Sequence, residues 1–84
     1  MTNNYKNILM SAKQGKWDEA HQLVQTQSDP IAYLIHGYLH RVEGDQNNAQ
    51  YWYNRANETM PDNTLEGEWD RLYALTEQIN TGNN

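Results

Sequence analysis

The segment from Pro30 to Glu43 constrains the fold of this chain most, because apolar residues surround almost the whole of the helix that it predicts. Asp29 and Pro30 supply an N-cap carboxylate followed by proline at the first helical position. Gly44 then ends the segment with a residue suited to a left-handed C-cap. A helix with so little polar surface is a central one. It must be covered by neighbouring helices on most of its circumference, or one stripe of it awaits a partner.

Four more helices are predicted from apolar residues that recur every three or four positions. Their approximate ranges are 4–14, 17–27, 45–60 and 64–79. Gly15 ends the first of them, Asp45 caps the third and Pro61 ends it. The last begins with a capping box, in which Glu66 lies three residues after the cap residue Asn63. Because no segment alternates like a strand, we expect an all-α fold of two antiparallel helical hairpins and a C-terminal closing helix.

The composition of the 84 residues bounds the class of protein, and one domain, 1–84, is expected at this length. The absence of cysteine excludes disulfides, a thiolate zinc site and a cysteine nucleophile. Neither a signal-peptide run nor a membrane span is found in the sequence, so we expect a cytoplasmic protein without a membrane partner. Six basic residues are scattered among eleven acidic ones, and the net charge of -5 disfavours nucleic-acid binding.

A helix-turn-helix pattern occurs twice in the chain. Gly15-x4-Ala20-x3-Val24-x2-Gln27 recurs as Gly44-x4-Ala49-x3-Tyr53-x2-Ala56, and Pro61 follows the second copy. This spacing resembles the second half of a tetratricopeptide repeat, where a glycine forms the turn, a small alanine lets the two helices approach closely and an aromatic residue fills the gap. The resemblance covers about residues 4–63 as two units, 4–27 and 30–60. The stretch 36–56 also resembles a group of short uncharacterised bacterial proteins.

Tetratricopeptide proteins are binding scaffolds whose first helices line a concave groove, and the resemblance implies which residues of this chain face that groove. These residues, which we refer to as the groove strip, are Ile31, Leu34, Tyr38, Arg41 and Val42. The same pattern turns four others toward the neighbouring helices, namely Tyr33, His36, Gly37 and His40. The expected function is a small protein-interaction module that binds a peptide or protein partner, with a second copy of the chain among the candidates. In the alternative arrangement, the first and fifth helices fold over the strip and bury it in the monomer.

His36 and His40 lie four residues apart, which places two imidazole rings on one face of the central helix, as in helical zinc sites. Glu43, three residues further on, would complete a set of three ligands. This polar site supports a second function, that of a small-molecule or metal-binding helper protein. The interpretation that we favour from the sequence is that both histidines are partly buried packing residues, bonded to neighbouring helices. We therefore expect no metal ion and no cofactor.

No catalytic site is expected, since a bundle of this size encloses little volume and no nucleophile paired with a base stands out. Five carboxylates are interpreted as first-turn charges that the helix dipole favours. They are Asp18, Glu19, Glu66, Glu68 and Asp70. Three arginines lie on separate predicted helices, where we expect weak surface ion pairs. They are Arg41, Arg55 and Arg71.

Overall fold

The computed structural model describes residues 5–81, with side chains through residue 78. It contains five helices, which are α1 (Tyr5–Lys13), α2 (Trp17–Val24), α3 (Pro30–Glu43), α4 (Gln46–Arg55) and α5 (Leu65–Thr81). The expected all-α class is confirmed, because the described residues form these helices and no strand. The first two helices end slightly before their predicted limits near 14 and 27. Within the described range, no helix combines the length and the apolar character that crossing a membrane requires.

The ends of α3 follow from the residues that flank it. One carboxylate oxygen of Asp29 accepts a hydrogen bond of 2.9 Å from the amide of Ala32, so this side chain caps the first turn. At the other end, Gly44 adopts a left-handed conformation with φ of 89°. The amide of Asp45 then bonds to the carbonyl of His40 at 2.8 Å and satisfies one of the last free carbonyls. Both ends of α3 lie where the sequence predicts them.

Helix α4 is shorter than the sequence predicts. It ends at Arg55, well before the predicted limit near 60, because Asn57 takes a left-handed conformation with φ of 64°. The amide of Glu58 bonds to the carbonyl of Tyr53 at 3.0 Å, which closes a Schellman turn without a glycine. Asparagine tolerates this conformation better than most residues. Pro61 therefore follows the turn and does not itself end the helix.

The start of α5 also differs from the prediction. The hydroxyl of Thr64, rather than the side chain of Asn63, accepts a hydrogen bond of 2.9 Å from the amide of Gly67. The predicted capping box between Asn63 and Glu66 is therefore wrong, and the threonine one position later caps the helix. This arrangement leaves the Asn63 side chain free to bond elsewhere.

Helix α3 is the centre of the fold, as its apolar circumference predicts, because it contacts each of the other four helices. α1 packs on α2 and α3 packs on α4, so the chain forms two helical hairpins. α5 packs against α1 and α3, the first helices of those hairpins. The largest fully buried apolar side chains come from all five helices and are Ile8, Leu9, Val24, Leu34, Ile35, Leu39, Tyr53 and Leu72.

Hydrogen bonds also link the helices around this core, for example at two residues of α1. The indole nitrogen of Trp69 on α5 donates to the carbonyl of Leu9 on α1 at 2.7 Å. The hydroxyl of Tyr5 donates to the carboxylate of Asp29, the residue that caps α3. Because Trp69 and Leu9 are 60 positions apart, the closing helix joins the first hairpin through a long-range contact.

Helices α3 and α4 approach closely where Gly37 faces Tyr53. A β-carbon placed on Gly37 would lie 2.8 Å from two ring carbons of Tyr53 and 3.1 Å from the carbonyl oxygen of Ala49. Ala49 and Tyr53 are fully buried. The absence of a side chain at Gly37 therefore lets α3 approach Ala49 and Tyr53 of α4 closely.

Replacing Gly44 with valine is expected to lower the free energy of unfolding by about 1–2 kcal/mol. The space around the residue is open, since a β-carbon there would meet no atom within 4 Å. The whole cost therefore comes from holding a β-branched residue at positive φ. Urea denaturation followed by circular dichroism measures the change. Gly44→Asn is the matched control and should cost much less, and an unchanged midpoint in the valine variant would contradict this turn.

Candidate functional site

The groove strip expected to receive a partner is largely covered in the monomer. Leu34 and Tyr38 are only 2% and 6% exposed, because α1 and α5 pack on α3. Ile31 is half-buried, whereas Val42 is 42% exposed. At Leu34 and Tyr38 the structure therefore has the alternative arrangement considered from the sequence, in which the first and fifth helices bury the strip within the monomer.

An open cleft remains where α5 meets α1 and α3. Its volume is about 240 Å³, and its lining residues are Ala12, Lys13, Tyr38, Glu66, Trp69 and Asp70. Pockets that enclose a drug-sized ligand measure roughly 300–1,000 Å³. This cleft is smaller and suits a single side chain of a partner. Tyr38 is the one residue of the groove strip that lines it.

The chemistry of the cleft favours a cation. Tyr38 and Trp69 supply aromatic rings. Glu66 and Asp70 add two exposed carboxylates. The ammonium group of Lys13 lies 4.2 Å from the centre of the Trp69 ring, in a cation–π contact. The cleft thus already holds a cation, which the chain itself supplies.

On the face of α3 opposite Tyr38, the structure brings three histidines together, and we refer to them as the histidine cluster. The ring centres of His36 and His40 are 5.0 Å apart. His21 on α2 completes the cluster, with its ring centre 4.7 Å from that of His36 and 5.4 Å from that of His40. One ring nitrogen from each histidine lies within 4.8 Å of those from the other two. His36 and His40 are buried and His21 is half-buried.

Two tryptophans hold the rings of the histidine cluster in place. Trp52 on α4 stacks on His36, with ring centres 3.8 Å apart and planes 11° from parallel. Trp17 on α2 stacks on His21 at 4.7 Å and 10°. The indole nitrogen of Trp17 donates to the carbonyl of Leu39 at 2.6 Å, which fixes that ring. Stacking therefore sets the orientation of two of the three imidazoles.

Glu43, considered from the sequence as a third ligand, instead bonds to His40. Its carboxylate lies 2.7 Å from Nδ1 of that ring. With its proton on Nδ1, a neutral His40 presents the lone pair of Nε2. The third imidazole comes from His21, which was not predicted as part of the site. A signal for it was present, because His21 follows Trp17 by four positions and so shares its face of α2.

The surroundings keep at least two of these imidazoles neutral at physiological pH. Burial, followed by the neighbouring His21 and His40, lowers the pKa of His36 to about 4. Burial and the nearby His40 also lower the pKa of His21. Neutral imidazole is the form that binds metal ions.

A charged residue is buried, although the sequence does not predict it. Glu68, interpreted as a first-turn charge, is 0% exposed. Its carboxylate accepts hydrogen bonds from the Tyr53 hydroxyl at 2.7 Å, from the Asn63 amide at 2.9 Å and from two Arg71 nitrogens at 2.8 and 2.9 Å. Arg41 of the groove strip donates to Asn63 at 2.8 and 2.6 Å. Arg71 makes an expected surface pair with Glu58 at 3.4 Å, but it also bonds the buried carboxylate of Glu68. The expected surface pairing is wrong for Arg41, which bonds an asparagine.

Hydrogen bonding decides the charge of Glu68. Burial alone would raise the pKa of this carboxyl group, but the hydrogen bonds from Arg71, Asn63 and Tyr53 outweigh it and hold the pKa below its ordinary value. Burial and the bond to Glu68 raise the pKa of Tyr53. Glu68 is thus an ionised group with a structural role, because it fixes α5 against α4 and the loop between them.

Arg55 also does not make the surface ion pair that was expected for it. Its guanidinium group lies 4.6 Å from the ring centre of Tyr33 and 5.1 Å from that of Trp52. It donates to the Tyr33 hydroxyl at 3.3 Å. Tyr51, 53% exposed, lies beside the same group at 5.9 Å. Aromatic rings, rather than a carboxylate, therefore hold this arginine on the outer face of the second hairpin.

Comparison with known proteins does not place the chain in a family. No protein-family model matches it, and neither does any curated protein or solved structure. The resemblance to tetratricopeptide repeats therefore stays a prediction, as does the similarity to short bacterial proteins. A function has to be inferred from the cleft and the histidine cluster themselves.

Proposed function

We propose that this protein is a small protein-interaction module that takes a basic side chain of a peptide or protein partner into the cleft between α1, α3 and α5. The observation that supports the proposal is the Lys13 ammonium group, 4.2 Å from the centre of the Trp69 ring in that cleft. An incoming lysine or arginine side chain would meet the same aromatic surface. It would also meet the carboxylates of Glu66 and Asp70, which strengthen its binding.

The overall charge favours the same class of partner. With a net charge of -5, the protein attracts basic segments over a distance of several ångströms and repels acidic ones. Such steering raises the rate of encounter more than it raises affinity. The small volume of the cleft admits one anchoring side chain, so the contact is expected to be weak, with Kd on the order of 10 µM to 1 mM.

Two substitutions in the cleft should change the affinity for a peptide in opposite directions. Lys13→Met should strengthen the binding of a short lysine-containing peptide about 2–5-fold, because it removes the resident cation and its contact of roughly 0.5–1 kcal/mol. The double variant Glu66→Gln with Asp70→Asn should weaken binding about 5–10-fold, because it removes both carboxylates. Isothermal titration calorimetry at low ionic strength measures these changes. A glutamate peptide of equal length should not bind.

Asp62→Asn is the matched control, since it removes an exposed carboxylate that does not line the cleft. It should change the affinity less than about 2-fold, because net charge acts mainly on the association rate. The proposal fails if the lysine peptide does not bind, or if Lys13→Met weakens binding. It also fails if Asp62→Asn reduces affinity as much as the cleft variants do.

A further inference from the structure

We propose that His21, His36 and His40 form a binding site for one divalent transition-metal ion of the zinc, nickel and copper class. This proposal replaces the expectation, drawn from the sequence, that the histidines bind no metal. That expectation considered only the pair on α3, whereas the fold brings a third imidazole to it from α2. The site lies on the opposite face of α3 from the cleft, so the two proposals stand independently.

The ligand atoms lie close enough together for such an ion to bind after small side-chain movements. Zinc binds imidazole nitrogen at 2.0–2.1 Å, so the ligands of a tetrahedral site lie about 3.3 Å from each other. In the histidine cluster, one nitrogen from each ring lies within 4.8 Å of the others. Small rotations of the side chains would bring them to that spacing. Three imidazoles suit zinc, nickel and copper better than magnesium or calcium, which prefer oxygen ligands.

Glu43 is a positioning residue, because it orients the ring of His40. Histidines that bind metal ions usually donate their second ring N–H to a carboxylate or carbonyl, which sets the tautomer and the direction of the ligand nitrogen. The carboxylate of Glu43, 2.7 Å from Nδ1 of His40, makes this contact. Nε2 of His40 is then the nitrogen left to bind the ion.

Among the residues that the structure describes, the other two rings, those of His21 and His36, are not bonded to neighbouring helices as the sequence led us to expect. Buried polar side chains normally bond through their polar atoms. Within the described part of the chain, His21 and His36 make no hydrogen bond through their rings, and no fully buried side-chain nitrogen lacks a partner. Their nitrogens therefore reach solvent and offer free lone pairs. The stacked Trp17 and Trp52 hold the two rings in place for a ligand.

The first experiment adds the metal ion alone to the purified protein at pH 7.5. Calorimetry should show one equivalent of Zn²⁺ bound, and Zn²⁺ at about 100 times its Kd should raise the melting temperature by roughly 5 °C or more. Mg²⁺ at the same concentration should do neither. An absence of Zn²⁺ binding, or an equal effect of Mg²⁺, would overturn the proposal.

Three variants then locate the ion. His21→Gln should weaken Zn²⁺ binding at least about 10-fold, because it removes one of three ligands. Glu43→Gln should weaken it about 10–100-fold and leave one equivalent bound. Asp18→Asn, the matched control, removes an exposed carboxylate near His21 and should leave the affinity within about 2-fold. Unchanged affinity in His21→Gln would show that the pair on α3 binds alone, which contradicts a site of three histidines.

A measurement on the wild-type protein avoids any doubt about the folding of the variants. Electron paramagnetic resonance of the Cu²⁺ complex reports the nitrogen atoms bound to the ion. Hyperfine splitting from three imidazole nitrogens is expected. Splitting from one or two nitrogens would overturn the proposal, even if Zn²⁺ stabilised the protein.

Discussion

Glu68→Ala is expected to lower the free energy of unfolding by about 3 kcal/mol. Removing one partner of a buried ion pair costs roughly 3–5 kcal/mol, because the remaining groups lose their bonds in a place that water does not reach. Here the substitution leaves the buried Tyr53 hydroxyl and the Asn63 amide without their acceptor. The lower end of the range applies because Arg71 is 36% exposed and can be rehydrated. Urea unfolding at pH 7 measures the loss.

The control for this variant is Glu66→Ala, in the same turn of α5. Both glutamates are interpreted from the sequence as first-turn charges. Because Glu66 is exposed, its substitution should change the free energy of unfolding by no more than about 0.5 kcal/mol. Equal losses in both variants would contradict the buried network.

The same network makes stability depend on acid pH. The pKa of Glu68 is lower in the folded protein than its ordinary value of 4.5, so the unfolded state binds this proton more readily. The contribution of Glu68 is therefore complete above pH 4.5 and is lost as the pH falls through the folded pKa below that value. Glu68→Gln should remove this part of the acid dependence, which unfolding curves between pH 3 and 7 would detect.

Gly37→Val is expected to lower the free energy of unfolding by about 3 kcal/mol. The first added carbon would lie 2.8 Å from the Tyr53 ring and 3.1 Å from the Ala49 carbonyl oxygen, and valine adds two methyl groups beyond it. Tyr53 is fully buried and cannot move aside without displacing its neighbours. Gly37→Ala should cost less, about 1–2 kcal/mol, because the gain in helix propensity of roughly 1 kcal/mol offsets part of the clash.

Gly67→Ala is the matched control in a helix. A β-carbon there would meet only the Thr64 hydroxyl, at 3.1 Å. The variant should change the stability by no more than about 0.5 kcal/mol, since the gain in helix propensity offsets a small movement of the Thr64 side chain that caps α5. If Gly37→Val were as well tolerated as Gly67→Ala, the close approach of α3 and α4 would be wrong.

The parts of the fold that the sequence predicts are those that local chemistry decides. Asp29 and Pro30 begin α3 and Gly44 ends it, because capping and the left-handed conformation depend on neighbouring residues alone. The end of α4 was misplaced, since Asn57 adopts positive φ while Pro61 gave the stronger signal. Either residue is able to end a helix, and only the backbone shows which one does.

The parts that could not be predicted depend on how helices pack. Whether α5 lies over α1 and α3 or continues beside α4 is a question of tertiary contact, and this choice buries Leu34 and Tyr38. It also decides that Glu68 is buried while Glu66 stays exposed.

The histidine cluster also depends on how the helices pack. His36 and His40 share a face through the period of one helix, and the sequence shows this directly. His21 joins them only because α2 packs on α3 in a register that brings its ring beside the other two.

The hydrogen bond between Trp69 and Leu9 has a consequence for the order of folding. Each hairpin is built from contacts between neighbouring segments, whereas this bond closes a loop across 60 positions and so costs more chain entropy. The hairpins should therefore form first and α5 should dock last. On this order, Gly37→Val would mainly slow folding, because it damages a hairpin that the transition state already contains. Glu68→Ala would mainly speed unfolding, because the contacts of α5 are made after the rate-limiting step.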